Sequence, residues 1–136
     1  MSNTILLPID LGDPASWEHA LPRALHLAEG GVLHIIAVMP NFGMPMVANF
    51  FDDAFVTQAL HDLGEQLTAW VNTHIPETQE IHPHVVRGRI YDEITAAAKK
   101  LNVDVIVMGS SSDNLLGPNA ARVARYSECS VFLARG

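Results

Sequence analysis

The chain reads as an α/β protein, a doubly wound five-stranded parallel sheet with helices on both faces. Three observations carry that reading. Short, nearly unbroken apolar runs such as TILLPID, VLHIIAVMP and VDVIVMGS end at polar residues, glycine or proline, as strands buried on both faces do. Between them lie segments whose apolar residues recur at helical spacing. The two kinds alternate as β-α-β-loop-α-β-α-β-α-β, and right-handed crossovers wind that order into a parallel sheet covered on both sides. Ligands of such sheets sit beyond the carboxyl ends of the strands, where the strand order reverses.

The first strand covers residues 4–10, TILLPID. Asp13 is placed to cap a helix with Pro14 at its first position. Trp17, Leu21, Ala24, Leu25 and Ala28 give that helix its apolar face, and Gly30–Gly31 end it. Pro22 inside the pattern predicts a kink or a break. Residues 32–40, VLHIIAVMP, are the second strand. Residues 41–53, NFGMPMVANFFDD, show no period, are broken by Gly43 and Pro45, and read as a long loop. Phe55, Leu60, Leu63, Leu67, Trp70 and Val71 then mark a helix with Gly64 as its weak point. EIHPHVVRG, residues 80–88, reads as a short strand, and Pro83 suits an edge position. Ile90, Ile94, Ala97, Ala98 and Leu101 share one face of the next helix. Residues 103–110 form a buried strand, 117–129 a helix with Pro118 at its start, and 130–136 the last strand.

With 136 residues, 49% of them hydrophobic, the chain suits a single domain over residues 1–136 with a core of its own. No apolar run reaches the roughly 18 residues of a membrane helix, so no membrane partner is expected. The start runs straight into a strand with no basic segment before it, which argues against a signal peptide. Cys129 is the only cysteine, so no intrachain disulfide forms and a cytoplasmic location is expected. The net charge is −7, and the eight Lys and Arg residues gather nowhere beyond Lys99–Lys100. A duplex-binding surface needs a basic stripe, so nucleic acid is not an expected partner.

The stretch MGSSSDNLLGPNAARV, residues 108–123, runs from a strand end through a polar loop into a helix. A helix start of this kind aims N–H groups and its dipole at an anion. Ser110, Ser111, Ser112 and Asn119 add side-chain donors. The plainer reading is a strand-to-helix turn, with Gly117 before the helix and Pro118 at its first position. Pro118 offers no N–H, and one charge-assisted hydrogen bond lost is about 1.5–3 kcal/mol.

The segments ILLPIDLGD, VVRGRIYDEITAAAKKLNVDVIVMGSSS and LLGPNAARVARYSECSVFLAR together resemble the universal stress protein family, its F/G-type members most of all. The resemblance spans nearly the whole chain apart from the Met/Phe loop. It implies that family's fold, which is similar to the adenine nucleotide alpha hydrolases. It also implies a stress-response regulator that holds ATP or AMP between the ends of the first and fourth strands. The ATP-binding members carry Gly-x2-Gly-x9-Gly-(Ser/Thr). Gly109 and Gly117 match the first and last glycines, Ser112 stands at the middle one, and Pro118 stands at the hydroxyl position. Seven residues separate Gly109 from Gly117 where the family pattern has twelve, so the loop is five residues shorter. By the same resemblance Asp10, with Pro8 beside it, lines the nucleotide pocket near base and ribose, and the Val38 backbone meets the adenine edge. The last strand, Val131, Phe132 and Leu133, implies a homodimer across a twofold axis, which would cover an apolar sheet edge.

Other residues are open to two readings. Asp10 can instead be a turn carboxylate beside Gly12 and Asp13, and Val38 an ordinary buried valine. Gly88 lets a ligand approach the backbone and Arg89 pairs with a phosphate, or Arg89 is simply solvated. His82 and His84 share a strand face but lack a third metal ligand, and the remaining histidines show no metal spacing, so no metal is expected. Cys129 is a redox-sensitive thiol or a small packing residue. No nucleophile elbow, Walker loop or acid–base pair is visible, so an enzyme is not expected, with slow hydrolysis of bound ATP left open. The competing function is a nucleotide-free dimeric interaction module. It would meet an unidentified protein partner through the dimer surface or the 41–56 loop.

Overall fold

The apolar runs form five parallel strands: β1 (Thr4–Pro8), β2 (Val32–Pro40), β3 (Glu80–Gly88), β4 (Val105–Gly109) and β5 (Ser130–Ala134). Among the described residues four helices connect them: α1 (Ala20–Leu27), α2 (Asp53–His74), α3 (Ile90–Lys100) and α4 (Pro118–Tyr126). This computed structural model describes residues 3–40, 53–109 and 118–135. The strand order is β3-β2-β1-β4-β5. The chain winds outward from β1 to β3, crosses back, and winds outward again through β4 and β5. The order therefore reverses between β1 and β4, which pair through Ile5 with Val105 and Leu6 with Ile106.

Alternation along β1 builds two cores. Ile5, Leu7 and Ile9 pack with Ala20, Ala24 and Ala28 of the α1 segment and with Leu67, Trp70 and Val71 of α2. Leu6 points the other way, with Ile36, against Ile94 and Ala98 of α3 and Ala120 and Val123 of α4. Helices thus cover both faces, as the periodicity requires, and among the described strands β3 pairs with β2 alone, so Pro83 lies on an edge strand where a missing N–H is tolerated.

Three local expectations change. Asp13 caps a single 3-10 turn, Pro14–Ser16, accepting from the Ala15 N–H at 3.2 Å, and α1 begins only at Ala20. Pro22 is the cause. In a continuous helix its ring would clash with the carbonyl four residues back. Restarting the helix at Ala20 puts Pro22 in the first turn, where an amide N–H has no intrahelical partner. The last helix ends at Tyr126 rather than at residue 129. The Ser127 hydroxyl takes the Cys129 N–H at 3.1 Å, a local bond that competes with another helical turn. The expected loop of residues 41–52 lies outside the described residues, and residues 53–56 of the proposed interaction loop are already in α2.

Candidate functional site

The β1–β4 reversal opens a cavity of about 420 Å³, a size that suits small ligands. Its apolar wall is Ile36, Val38, Ile90, Ile94 and Met108. Its polar groups are Asp10, Asp13, Ser16 and Asn119, with Pro8, Gly109 and Pro118 completing the rim. The strands end in step here, so backbone and side chains of β1, β2, β4 and the first turn of α4 face one space.

The turn after β1 orients its own carboxylate. The Gly12 N–H donates to Asp10 Oδ1 at 2.9 Å, and the Asp10 N–H donates to Ser16 Oγ at 2.9 Å. Gly109 lets that turn approach. A Cβ there would lie 2.5 Å from the Ser16 carbonyl oxygen and 2.9 Å from that of Ala15, both backbone atoms. The glycine at the head of the expected phosphate loop therefore has a packing reason of its own.

Of the residues singled out in the sequence, Pro8, Asp10, Val38, Gly109 and Asn119 line the cavity. Gly88 and Arg89 flank it without lining it. Gly88 sits at φ +152°, a conformation that favours glycine, beside the Glu93 side chain. Arg89 is the residue before α3. Its guanidinium lies 3.9 Å from Asp92 and donates to the Tyr91 hydroxyl at 3.5 Å, and these contacts raise its pKa, the Tyr91 hydrogen bond most. Ser110, Ser111, Ser112 and Gly117 lie outside the described residues. Asp13 and Ser16 are additions: Asp13 was legible only as a cap, and nothing in the sequence singles out Ser16. Arg122 is a further one, its Cζ 5.3 Å from the centre of the Tyr91 ring.

The structure also joins residues that the sequence keeps apart. His34 on β2 is nearly buried, and its Nδ1 lies 2.8 Å from His84 Nε2, while His82 stacks on His34 at 5.2 Å. His82 Nε2 in turn meets Glu80 Oε2 at 2.8 Å. Burial pushes the pKa of both His34 and His84 down; the His84 and His82 imidazoles push His34 further, and His82 and Lys100 push His84 further. None of the three lines the cavity, and no group of three or more His, Cys, Asp or Glu among the described residues is arranged to hold a metal ion. Cys129 is half-buried, with Ser127 Oγ 3.3 Å from its sulfur, and borders a separate cleft between α3 and the end of α4. No helix among the described residues is long and apolar enough to cross a membrane.

Set beside known proteins, residues 1–135 match the model of the universal stress protein family. The chain is 31% identical over 142 residues to Universal stress protein G of Escherichia coli O157:H7, covering 99% of this chain and 100% of that one. Its fold is similar to that of a universal stress protein crystallised in complex with cAMP, with TM-score 0.67, 20% identity and 98% and 97% of the two chains covered. It is also similar to an AMP-bound universal stress protein family member from Arabidopsis thaliana, with TM-score 0.64, 15% identity and 98% and 90% covered. At these identities the two structures speak for the fold.

Proposed function

Since this chain belongs to the universal stress protein family, we propose that it is a dimeric stress-response regulator that binds an adenine nucleotide, ATP or AMP, beyond the ends of β1 and β4. The observation that carries the proposal is the cavity at the strand reversal, where an apolar wall faces a small polar set. A purine fits between Ile36, Val38, Ile94 and Met108, and its edge can take hydrogen bonds from strand backbone at Val38. The Asp10 carboxylate, oriented by the Gly12 N–H, is a suitable acceptor for ribose hydroxyls. Asn119 in the first turn of α4 and the serines 110–112 are the donors on the phosphate side. The cAMP and AMP complexes of proteins with the same fold support this choice of ligand. No cavity residue is given a catalytic role.

One observation favours the competing reading. Pro118 stands at the rim without an N–H, and the loop before it is short, so a nucleotide-free module acting through its dimer surface or residues 41–56 is the second reading. Isothermal titration of the purified chain with ATP and with AMP, at up to millimolar concentration, separates the two. Binding heat, a raised melting temperature and a loss of about tenfold in affinity for Asp10→Ala are expected. No heat and no thermal shift would sink the nucleotide reading. Phosphate release from ATP, followed in the same samples, is expected at background.

A further inference from the structure

The cavity has a charge problem for a phosphate ester. Asp10 and Asp13 lie on its wall, and among the described residues no Lys, Arg or His lines it. The first residue of α4, Pro118, has no N–H to contribute. A phosphate entering here would meet two carboxylates with no counter-charge in the wall.

Two arginines stand next to wall residues, Arg89 just before α3 and Arg122 on α4, without lining the cavity themselves. Arg89 immediately precedes Ile90, a wall residue. Arg122 follows Asn119, another wall residue, by three positions on α4, so the two share a helix face. Helical side chains lean toward the N-terminus and cover the turn before their own Cα, which directs Arg122 back over Pro118 and Asn119. Both cations rest on one aromatic ring: Arg122 Cζ lies 5.3 Å and Arg89 Cζ 6.0 Å from the centre of Tyr91. Both side chains are exposed. Besides its hydrogen bond to the Tyr91 hydroxyl, Arg89 has one loose ion pair among the described residues, to Asp92 at 3.9 Å, and no carboxylate of the described residues forms an ion pair with Arg122. The ring thus keeps two planar forks together, with donors still available to an anion.

We propose that Arg122 and Arg89, seated on Tyr91, are the phosphate clamp of this cavity. The proposal rests on the nucleotide reading above and adds the group that recognises the phosphoester. A guanidinium fork matches two phosphate oxygens at once, which a lysine ammonium cannot do. The clamp adds positive charge beside a helix start whose first residue, Pro118, has no N–H to donate. It makes the ligand a nucleoside phosphate rather than a nucleoside.

The test titrates adenosine, AMP and ATP into the full chain, as wild type, Arg122→Ala, Arg122→Lys and the double variant Arg89→Ala/Arg122→Ala. Far-ultraviolet melts of each variant report folding, and both positions are at the surface. Arg122→Ala is expected to weaken ATP about tenfold, with adenosine unchanged. The double variant should weaken ATP further, and Arg122→Lys should recover part of the loss. Added salt should weaken ATP but not adenosine in the wild type, a reading that needs no variant. ATP affinity unchanged in the folded double variant, or an equal loss for adenosine and ATP, overturns the clamp and leaves the nucleotide reading standing. No binding of any of the three to the wild type overturns both.

Discussion

His34 is a polar side chain held inside the sheet. It is nearly buried, its ring nitrogen lies 2.8 Å from that of His84, and His82 stacks on it. The charged groups facing this cluster are Glu80 beside His82 and Lys100 at the end of α3. Only Glu80 favours protonation of His34, and burial with two imidazole neighbours outweighs it. The folded state therefore binds fewer protons at His34 and His84 than an unfolded chain whose histidines titrate near 6.5. Stability is fully present above that value and falls as pH drops through it toward the lowered folded values. Thermal melts from pH 8 to pH 5 should be flat down to about 6.5 and then decline. His84→Gln should make the decline shallower, because His34 loses one repelling neighbour while its burial remains. An unchanged slope would remove the cluster as the cause. In the sequence, His82 and His84 were legible as neighbours on one strand face. His34 was not, since it reaches them only through the pairing of β2 with β3, where it registers with His82.

Among the elements, the junction of β4 with the turn after β1 decides the shape of the cavity. The 3-10 turn Pro14–Ser16 leans on Gly109 so closely that a Cβ would enter backbone rather than a flexible side-chain end. Gly109→Ala should therefore destabilise the protein by about 1–3 kcal/mol, the usual range for overpacking, read as a lower urea midpoint with unchanged m-value. It should also weaken any cavity ligand, because Ser16 and Asp10 shift together. A wild-type midpoint would show that the turn moves aside without penalty. The sequence marked Gly109 through its place after an apolar run, which is a local signal. It marked Asp13 as a cap and Pro14 as a first helical position, which holds for the 3-10 turn, but it gave no sign that this turn lies against Gly109. The spacing of Trp17 with Leu21 looks helical, but the demand of Pro22 for a first-turn position prevails.

At the scale of the molecule, the strand order leaves β3 and β5 at the two edges. β5 is the more apolar edge. Val131 and Leu133 turn inward onto the α3–α4 core, whereas Phe132 on the opposite side is 39% exposed. An apolar terminal strand of this kind invites pairing with a second copy, and Phe132 is the side chain placed to be covered by it. Light scattering on the eluting protein should give twice the chain's 14.8 kDa. Phe132→Asp should shift it to a monomer without loss of helix content, because the substitution leaves Val131 and Leu133 in the core. A wild-type monomer would remove β5 as a dimer edge. Charge belongs to this scale as well. A chain of net charge −7 attracts no polyanion as a whole, so any phosphate must be recognised locally.

The sequence by itself determined the kinds of element, their order, the parallel class and the family resemblance. These depend on period, on caps and breakers, and on motifs of a few residues, all set by neighbours along the chain. Five of the residues it marked line the cavity: Asp10, Val38 and Gly109 at the ends of apolar runs, Pro8 through the family resemblance and Asn119 as a donor at a helix start. Only the tertiary structure decided which strands adjoin and where the order reverses. It alone brought His34 to His84, Ser16 to Asp10, and Arg122 to the ring of Tyr91. The reason is physical: those contacts follow from hydrogen-bond register between strands and from helix packing across the sheet. Both join residues that have no periodic relation in the chain.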